Sequence, residues 1–276
     1  MNNDIFTTML NAHKALTDVN EQNALYETMQ QVALAGLYRG GFFKVAAFYG
    51  GTCLRQFHQL GRYSEDMDFT LTRKIPNFRF EDYFPYIVEE AKALGREVEI
   101  KKKDKVNFGR VESAFLKDTT DVYNLKFQTE KSLKIKIEVD TNPPLGFETE
   151  QLPLLLPYSF HVQCLTLPYL FAGKMHALVY RAWKTRVKGR DWYDFEWYVR
   201  HQIPLNWKHL HDRIFEFTGE DIPREAFVDA LRQRLTITNI EDVKKDVTGF
   251  VINPHELDLW TNDYFLYLAS KINWID

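Results

Sequence analysis

Two aspartates stand one residue apart in Asp66-Met67-Asp68, and a Gly50-Gly51-Thr52 triplet precedes them. On a strand, Asp66 and Asp68 point to the same face. Two carboxylates about 5 Å apart repel by roughly 3 kcal/mol at an effective dielectric near 20. Solvent can relieve that repulsion, and so can a bridging cation; hard oxygen ligands with room for water and phosphate suit Mg²⁺ or Mn²⁺. The glycines complement the pair. A strand that turns through Gly-Gly-Thr into a helix leaves backbone N–H groups unpaired at the helix start. An anion is favoured there, and glycine lets it approach closely. Each element alone has an ordinary alternative, a solvated acidic strand or a tight turn. Together they read as a phosphate cradle facing a metal-binding carboxylate pair.

A two-metal phosphoryl-transfer site usually needs a third carboxylate. The segment LKIKIEVD offers Glu138, on a face with Lys134, Lys136 and Asp140 and opposite Leu133, Ile135, Ile137 and Val139. Asp140 is the alternative, and an amphipathic strand with its polar face in water would show the same pattern. Later, Lys174, Leu178 and Arg181 fall four and three apart, on one face of a predicted helix. Two cations there suit triphosphate oxygens, lysine as a point charge and arginine as a fork. Asp191 and Asp194 also share a face, and salt bridges between two surface helices would account for the same residues. Neither a P-loop nor a Rossmann glycine motif occurs. Asp66-Met67-Asp68-Phe69-Thr70 fits the D-x-D-x-T of haloacid-dehalogenase-type phosphatases. In those, however, a long apolar strand leads to the nucleophile, and here Arg62-Tyr63-Ser64-Glu65 does.

The elements that must position these residues follow from the pattern. Residues 4–39 read as helix broken near Thr17-Asp18, with Gly40-Gly41 as the stop. FKVAAFYGG reads as a buried strand entering a glycine turn. CLRQFHQL reads as a short helix, with Thr52 as N-cap and Gly61 as its end. YSEDMDFTL resumes as a strand, and a helix follows near Phe80–Leu94. REVEIKK, NFGRVESAFL, VYNLKFQTE and SLKIKIEVD alternate with period two, as in an antiparallel meander. The proline-rich PPLGFETEQLPLLLPYS reads as a loop. From about residue 160 the signal is helical: PYLFAGKMHALVYRAWK, then helices near 191–200, 206–217, 224–235 and 255–272. The expectation is an α+β chain, a mixed or antiparallel sheet domain over 1–160 followed by a helical domain over 161–276.

Composition agrees with a folded protein: 276 residues, 45% hydrophobic, 26% charged. A net charge of -3 excludes a globally basic nucleic-acid coat. Arg96, Lys101, Lys102, Lys103 and Lys105 still form a local basic cluster that could meet an RNA backbone, although such a run is more often a solvated edge. Cys53 and Cys164 make neither a disulfide framework nor a zinc cluster. MNNDIFTTML is no signal peptide, and no apolar run approaches a membrane span. A cytoplasmic monomer away from membranes is expected. His209 and His211, two apart on a helix, point apart and make no metal pair. The six tryptophans read as core, with Trp192 and Trp197 flanking the candidate site.

G-G-T-x-L-R, a gap, then R-x-S-x-D-x-D-F resembles the first motif of the AbiEii/AbiGii toxin family of nucleotidyltransferases. That family belongs to the DNA polymerase β-like superfamily. Thirteen residues, Cys53 to Glu65, separate Thr52 from Asp66. LPYLFAGKMHALVYRAWKTRVKGRDWYDFEWYV is similar to the family's later motif at Lys174, Arg181, Arg190, Asp191 and Asp194. The resemblance runs from about Ala46 to Val199. Gly173 departs from it, since relatives often carry a charge there.

The resemblance implies a polymerase-β-like fold and transfer of a nucleoside monophosphate from an NTP to a hydroxyl. It implies that Gly50, Gly51, Thr52 and Arg55, with Lys174 and Arg181, bind the nucleotide. Asp66, Asp68 and Glu138 would bind Mg²⁺ or Mn²⁺, and Asp191 would act as base or orienting group. Arg62 and Ser64 would support the metal loop. It further implies a toxin with a cognate antitoxin partner, often serving phage defence, with tRNA or another RNA as acceptor. The competing readings are a non-catalytic nucleotide- or RNA-binding module and a small-molecule (antibiotic-type) nucleotidyltransferase.

Overall fold

A computed structural model describes residues 4–15, 21–103, 120–128, 133–181 and 187–276. The expected helix break at Thr17-Asp18 and the predicted strand NFGRVESAFL lie outside the described residues, as does Lys105. Helices α1 (Ile5–Ala15) and α2 (Glu21–Arg39) lead in. Strand β1 (Ala46–Tyr49) runs directly into α3 (Gly50–His58), and β2 (Met67–Leu71) returns antiparallel to β1. After α4 (Phe84–Ala93) come β3 (Glu97–Lys102), β4 (Thr120–Gln128) and β5 (Leu133–Asp140).

The sheet order is β3-β4-β5-β2-β1-β7-β6, where β6 is Thr149–Leu154 and β7 is Phe160–Leu165. β3, β4 and β5 form the expected antiparallel meander, and β5 then lies parallel to β2. The proline-rich segment differs from the loop expected of it. It supplies β6, an outer strand where Pro153 is tolerated because an edge strand can leave one N–H position unpaired.

Helices then follow: α5 (Leu167–Tyr180), α6 (Gly189–Arg200), α7 (Trp207–Thr218), α8 (Arg224–Ile237), α9 (Ile240–Val247) and α10 (Asn262–Ala269). A single helix over 255–272 is not formed. Pro254 starts a short 3-10 turn instead, and Thr261 caps α10 through the Tyr264 N–H.

Both halves feed one apolar core. On the sheet side, Phe42 meets Phe69, Phe80 and Tyr83 edge to face, and Phe48 stacks on Phe69 with centroids 5.0 Å apart. On the helical side, Phe171 stacks on Tyr198, and Trp192 and Trp260 meet Phe265. Trp192 is fully buried and Trp197 nearly so; both are core residues. At α2, a Cβ on Gly36 would lie 2.6 Å from the Ile87 Cα, so only glycine allows α2 and α4 to approach this closely. No helix among the described residues is long and apolar enough to cross a membrane.

Candidate active site

The glycine turn is pressed against the carboxylates. Gly50 has φ +81°, and a Cβ there would lie 2.2 Å from Asp68 Oδ2. A Cβ on Gly51 would meet Arg62 Nη2 at 2.6 Å and Ser64 Oγ at 2.9 Å. Helix α3 begins at Gly50, with extended Tyr49 as its N-cap residue, so Thr52 does not cap it. Thr52 lies buried in the first turn, and its hydroxyl donates to the Asp66 carbonyl, fastening the helix start to the entrance of β2. The helix ends at Gln59, left-handed at φ 57°, rather than at Gly61.

β2 and β5 align the acidic residues. Their parallel register places Asp68 level with Glu138 and Thr70 level with Asp140. Along β5, Leu133, Ile135, Ile137 and Val139 are buried while Lys134, Lys136 and Glu138 face out, as the alternation predicts. Asp66 sits immediately before β2. Buried Asp140 accepts the Asn142 N–H at 3.1 Å, so it serves a turn, one step along from Asp68.

Lys136 is the residue sequence reasoning passed over. Its Nζ lies 2.8 Å from Glu138 and 3.3 Å from Asp66 Oδ2, bridging two of the three carboxylates. Its place beside Glu138 on the same strand face was the available signal. Asp68, by contrast, has no hydrogen bond or ion pair among the described residues. Burial, then the Glu138 and Asp66 charges, push its carboxyl up to about 7, against the opposing pull of Lys136 and Lys174.

Among the described residues no group of three or more His, Cys, Asp or Glu side chains already converges as a metal cage. The donor set nonetheless fits a hard divalent ion. Carboxylate oxygens line one face, Asp68 has no direct ion pair among the described residues, and a lysine ammonium stands where positive charge is demanded.

Behind this face lies a buried ionic network. Arg62, 2% exposed, grips fully buried Asp194 with two 2.6 Å bonds, Nε to Oδ1 and Nη2 to Oδ2. Lys174 Nζ reaches Asp191 Oδ1 and Asp194 Oδ2, each at 2.8 Å. Arg181 Nη1 adds a 3.1 Å contact to Asp191 Oδ2. Burial works against the Lys174 charge, but Asp191 and Asp194 outweigh it and hold its pKa above the usual value. Burial likewise opposes ionised Asp191, yet Lys174 and Arg181 hold it well below the ordinary carboxylate range. Asp194 is also held low, by Arg62 and then Lys174. Lys174 therefore links this network to the carboxylate face, where its charge acts on Asp68.

Other predicted residues lie elsewhere or are engaged. Arg55 is turned toward Glu27 and the Leu60 carbonyl, at 2.9 Å from the latter, with its guanidinium over the Tyr63 ring. In the basic cluster, Lys101 pairs with Glu99, Lys102 with Glu81 and Asp121, and Arg96 lies over Phe6. His211 binds Asp221 at 2.7 Å, while buried His209 takes a hydrogen bond from Arg213, so the two indeed part.

Residues 32–265 match the family described as nucleotidyl transferase AbiEii toxin, type IV toxin–antitoxin system. No curated protein matches the sequence. Among solved structures, JHP933 from Helicobacter pylori is similar, with a TM-score of 0.56 and 16% identity over 91% of this chain and 92% of that one. A presumptive nucleotidyltransferase from H. pylori is similar too, with a TM-score of 0.56 and 16% identity over 91% of this chain and 95% of that one. At that identity the two structures speak to the fold alone.

Proposed function

Since the chain belongs to the AbiEii family of nucleotidyltransferase toxins of type IV toxin–antitoxin systems, we propose that it moves a nucleoside monophosphate from an NTP to a hydroxyl of tRNA or another RNA. The observation that carries this reading is Asp68, level with Glu138 across parallel strands, held against the Gly50 turn and without a direct ion-pair partner among the described residues. A pure binding module has no need of such a costly arrangement.

Each residue has a part in the reaction. The N–H groups opening α3 at Gly50 and Gly51 hold the triphosphate, with the helix dipole behind them. Asp66, Asp68 and Glu138 would hold a divalent cation, Mg²⁺ or Mn²⁺, in the place where the Lys136 ammonium now bridges Asp66 and Glu138. When bound, the cation lowers the pKa of the acceptor hydroxyl and neutralises charge on the departing pyrophosphate. Lys174 stabilises negative charge on the phosphates. Asp191 orients Lys174 rather than taking a proton, because a carboxylate held so low by two cations is a poor base near neutrality. Arg62 and Asp194 lock the segment before Asp66 to α6. The cognate antitoxin is the protein partner that membership of the family implies.

The test is incubation with each labelled NTP, Mg²⁺ and total RNA, beside Asp66→Ala and Asp68→Ala. Label should enter RNA with the intact protein alone. Label in a small molecule or protein would keep the chemistry and replace the acceptor; no transfer to any acceptor would sink the catalytic reading.

A further inference from the structure

Arg213 lies on α7, and its guanidinium covers Gly173 of α5. A Cβ on Gly173 would sit 3.9 Å from Arg213 Nε and 4.0 Å from Cζ, an ordinary van der Waals contact, so the guanidinium lies against α5 at this residue. Gly173 directly precedes Lys174, the cation that acts on Asp68. The Tyr49 hydroxyl, on the residue level with Asp68 in β1–β2 pairing, is pushed far up by burial and then by Asp68, Asp140 and Glu138, and Arg213 opposes those carboxylates.

The arginine is held, yet not neutralised. Its Nε donates to His209 Nε2 at 3.1 Å, and no carboxylate pairs with it among the described residues. His209 is buried, is packed edge-on by Tyr169 and Phe147, and has its backbone N–H fixed by Asn206 Oδ1 at 2.7 Å. A ring so fixed, accepting through Nε2, sets the plane of the guanidinium and leaves the terminal N–H groups of the fork available. A half-buried, oriented guanidinium with no carboxylate partner is built for a planar anion acceptor.

On the reading under Proposed function, we infer that Arg213 is a further binding residue for the polyphosphate tail of the nucleotide, with His209 as its positioning residue. Lys174 supplies charge from within the buried network, and Arg213 supplies a bidentate fork from α7.

The experiment measures binding of each NTP, and of the corresponding monophosphates, to the full chain by titration calorimetry with Mg²⁺ present. Wild type is compared with Arg213→Gln, Arg213→Lys, His209→Phe and His209→Gln, after their folding is checked by circular dichroism. Arg213→Gln should weaken NTP binding by roughly tenfold to a hundredfold, as expected for a lost charge-assisted contact, and leave monophosphate binding unchanged. Arg213→Lys should restore part of the loss. His209→Phe should show a smaller loss of the same kind, which His209→Gln, retaining an acceptor, recovers. In turnover, Arg213→Gln should raise the NTP KM while kcat stays within about threefold. If wild type binds an NTP and Arg213→Gln binds it equally, the inference is overturned while the proposed function stands. Wild type binding no NTP would overturn both. Loss of monophosphate binding in parallel with NTP binding would also overturn it, by marking a structural role.

Discussion

Asp194→Ala is expected to destabilise the fold far more than Asp191→Ala, although the two aspartates sit one helical turn apart. Asp194 is fully buried and answers two cations, Arg62 through two 2.6 Å bonds and Lys174 through one of 2.8 Å. Its removal strands a guanidinium that is 2% exposed. Breaking a buried pair from one side costs about 3–5 kcal/mol, a large share of the roughly 5–15 kcal/mol that holds a typical domain together. Asp191→Ala leaves Lys174 its bond to Asp194, and Arg181 is more open to solvent, so about 1–3 kcal/mol is expected. Urea unfolding followed by tryptophan fluorescence at neutral pH gives both values from the midpoints, provided the slope is unchanged. Activity should rank the other way among variants that remain folded, with Asp191→Ala the more damaging per kcal/mol of stability lost. An Arg62→Met, Asp194→Leu double variant should recover much of the stability, because removing both charges ends the desolvation penalty. An Asp194→Ala protein within about 1 kcal/mol of wild type, or an Asp191→Ala protein equally unstable, would refute this division of roles.

Three further outcomes follow from the site. Gly50→Ala places a methyl against Asp68 Oδ2 at a left-handed φ, so activity should fall at least about a hundredfold while circular dichroism stays native; near-normal turnover would contradict the cradle. Lys136→Met should raise Mn²⁺ affinity by about tenfold, read by electron paramagnetic resonance, because it removes a competing charge from Glu138 and Asp66; unchanged or weaker binding would count against that competition. Without divalent ions, the Asp68 carboxyl titrates near 7 when folded and near 3.8 when unfolded, so the folded state binds its proton more tightly. Its contribution to stability should therefore decline as pH rises from about 4 to about 7 and level off above, and Asp68→Asn should flatten that slope in thermal melts; identical slopes in both proteins would remove the cause assigned here.

The residues that alternate or punctuate locally were legible. The apolar face of Leu133 to Val139 and the glycine turn at Gly50 needed only nearest neighbours in sequence, and so did the meander from β3 to β5. The start of α3 was misread at Thr52, because a buried hydroxyl can bond the Asp66 carbonyl from inside the helix as readily as it can cap one. The strand in the proline-rich segment was missed because an edge position tolerates what an interior strand does not. Arg213 carries no local mark, since its place over Gly173 depends on how α7 packs on α5. The resemblance aligned Lys174, Asp191 and Asp194, whereas the partner of Asp194, 132 residues earlier, could be found only in three dimensions.

That long separation also sets the order in which the site can be assembled during synthesis. Arg62 waits for Asp194 to arrive, and Glu196 on the same helix is fixed in turn by the Trp260 indole and the Tyr264 hydroxyl. A ribosome adding about 5–20 residues per second takes roughly ten seconds between Asp68 and Asp194, and longer to reach Tyr264. Through that interval the nascent chain holds its acidic strand without the clamp or Lys174's partners. The clamp and the partners of Lys174 are therefore completed only well after the strand carrying Asp68 has been made.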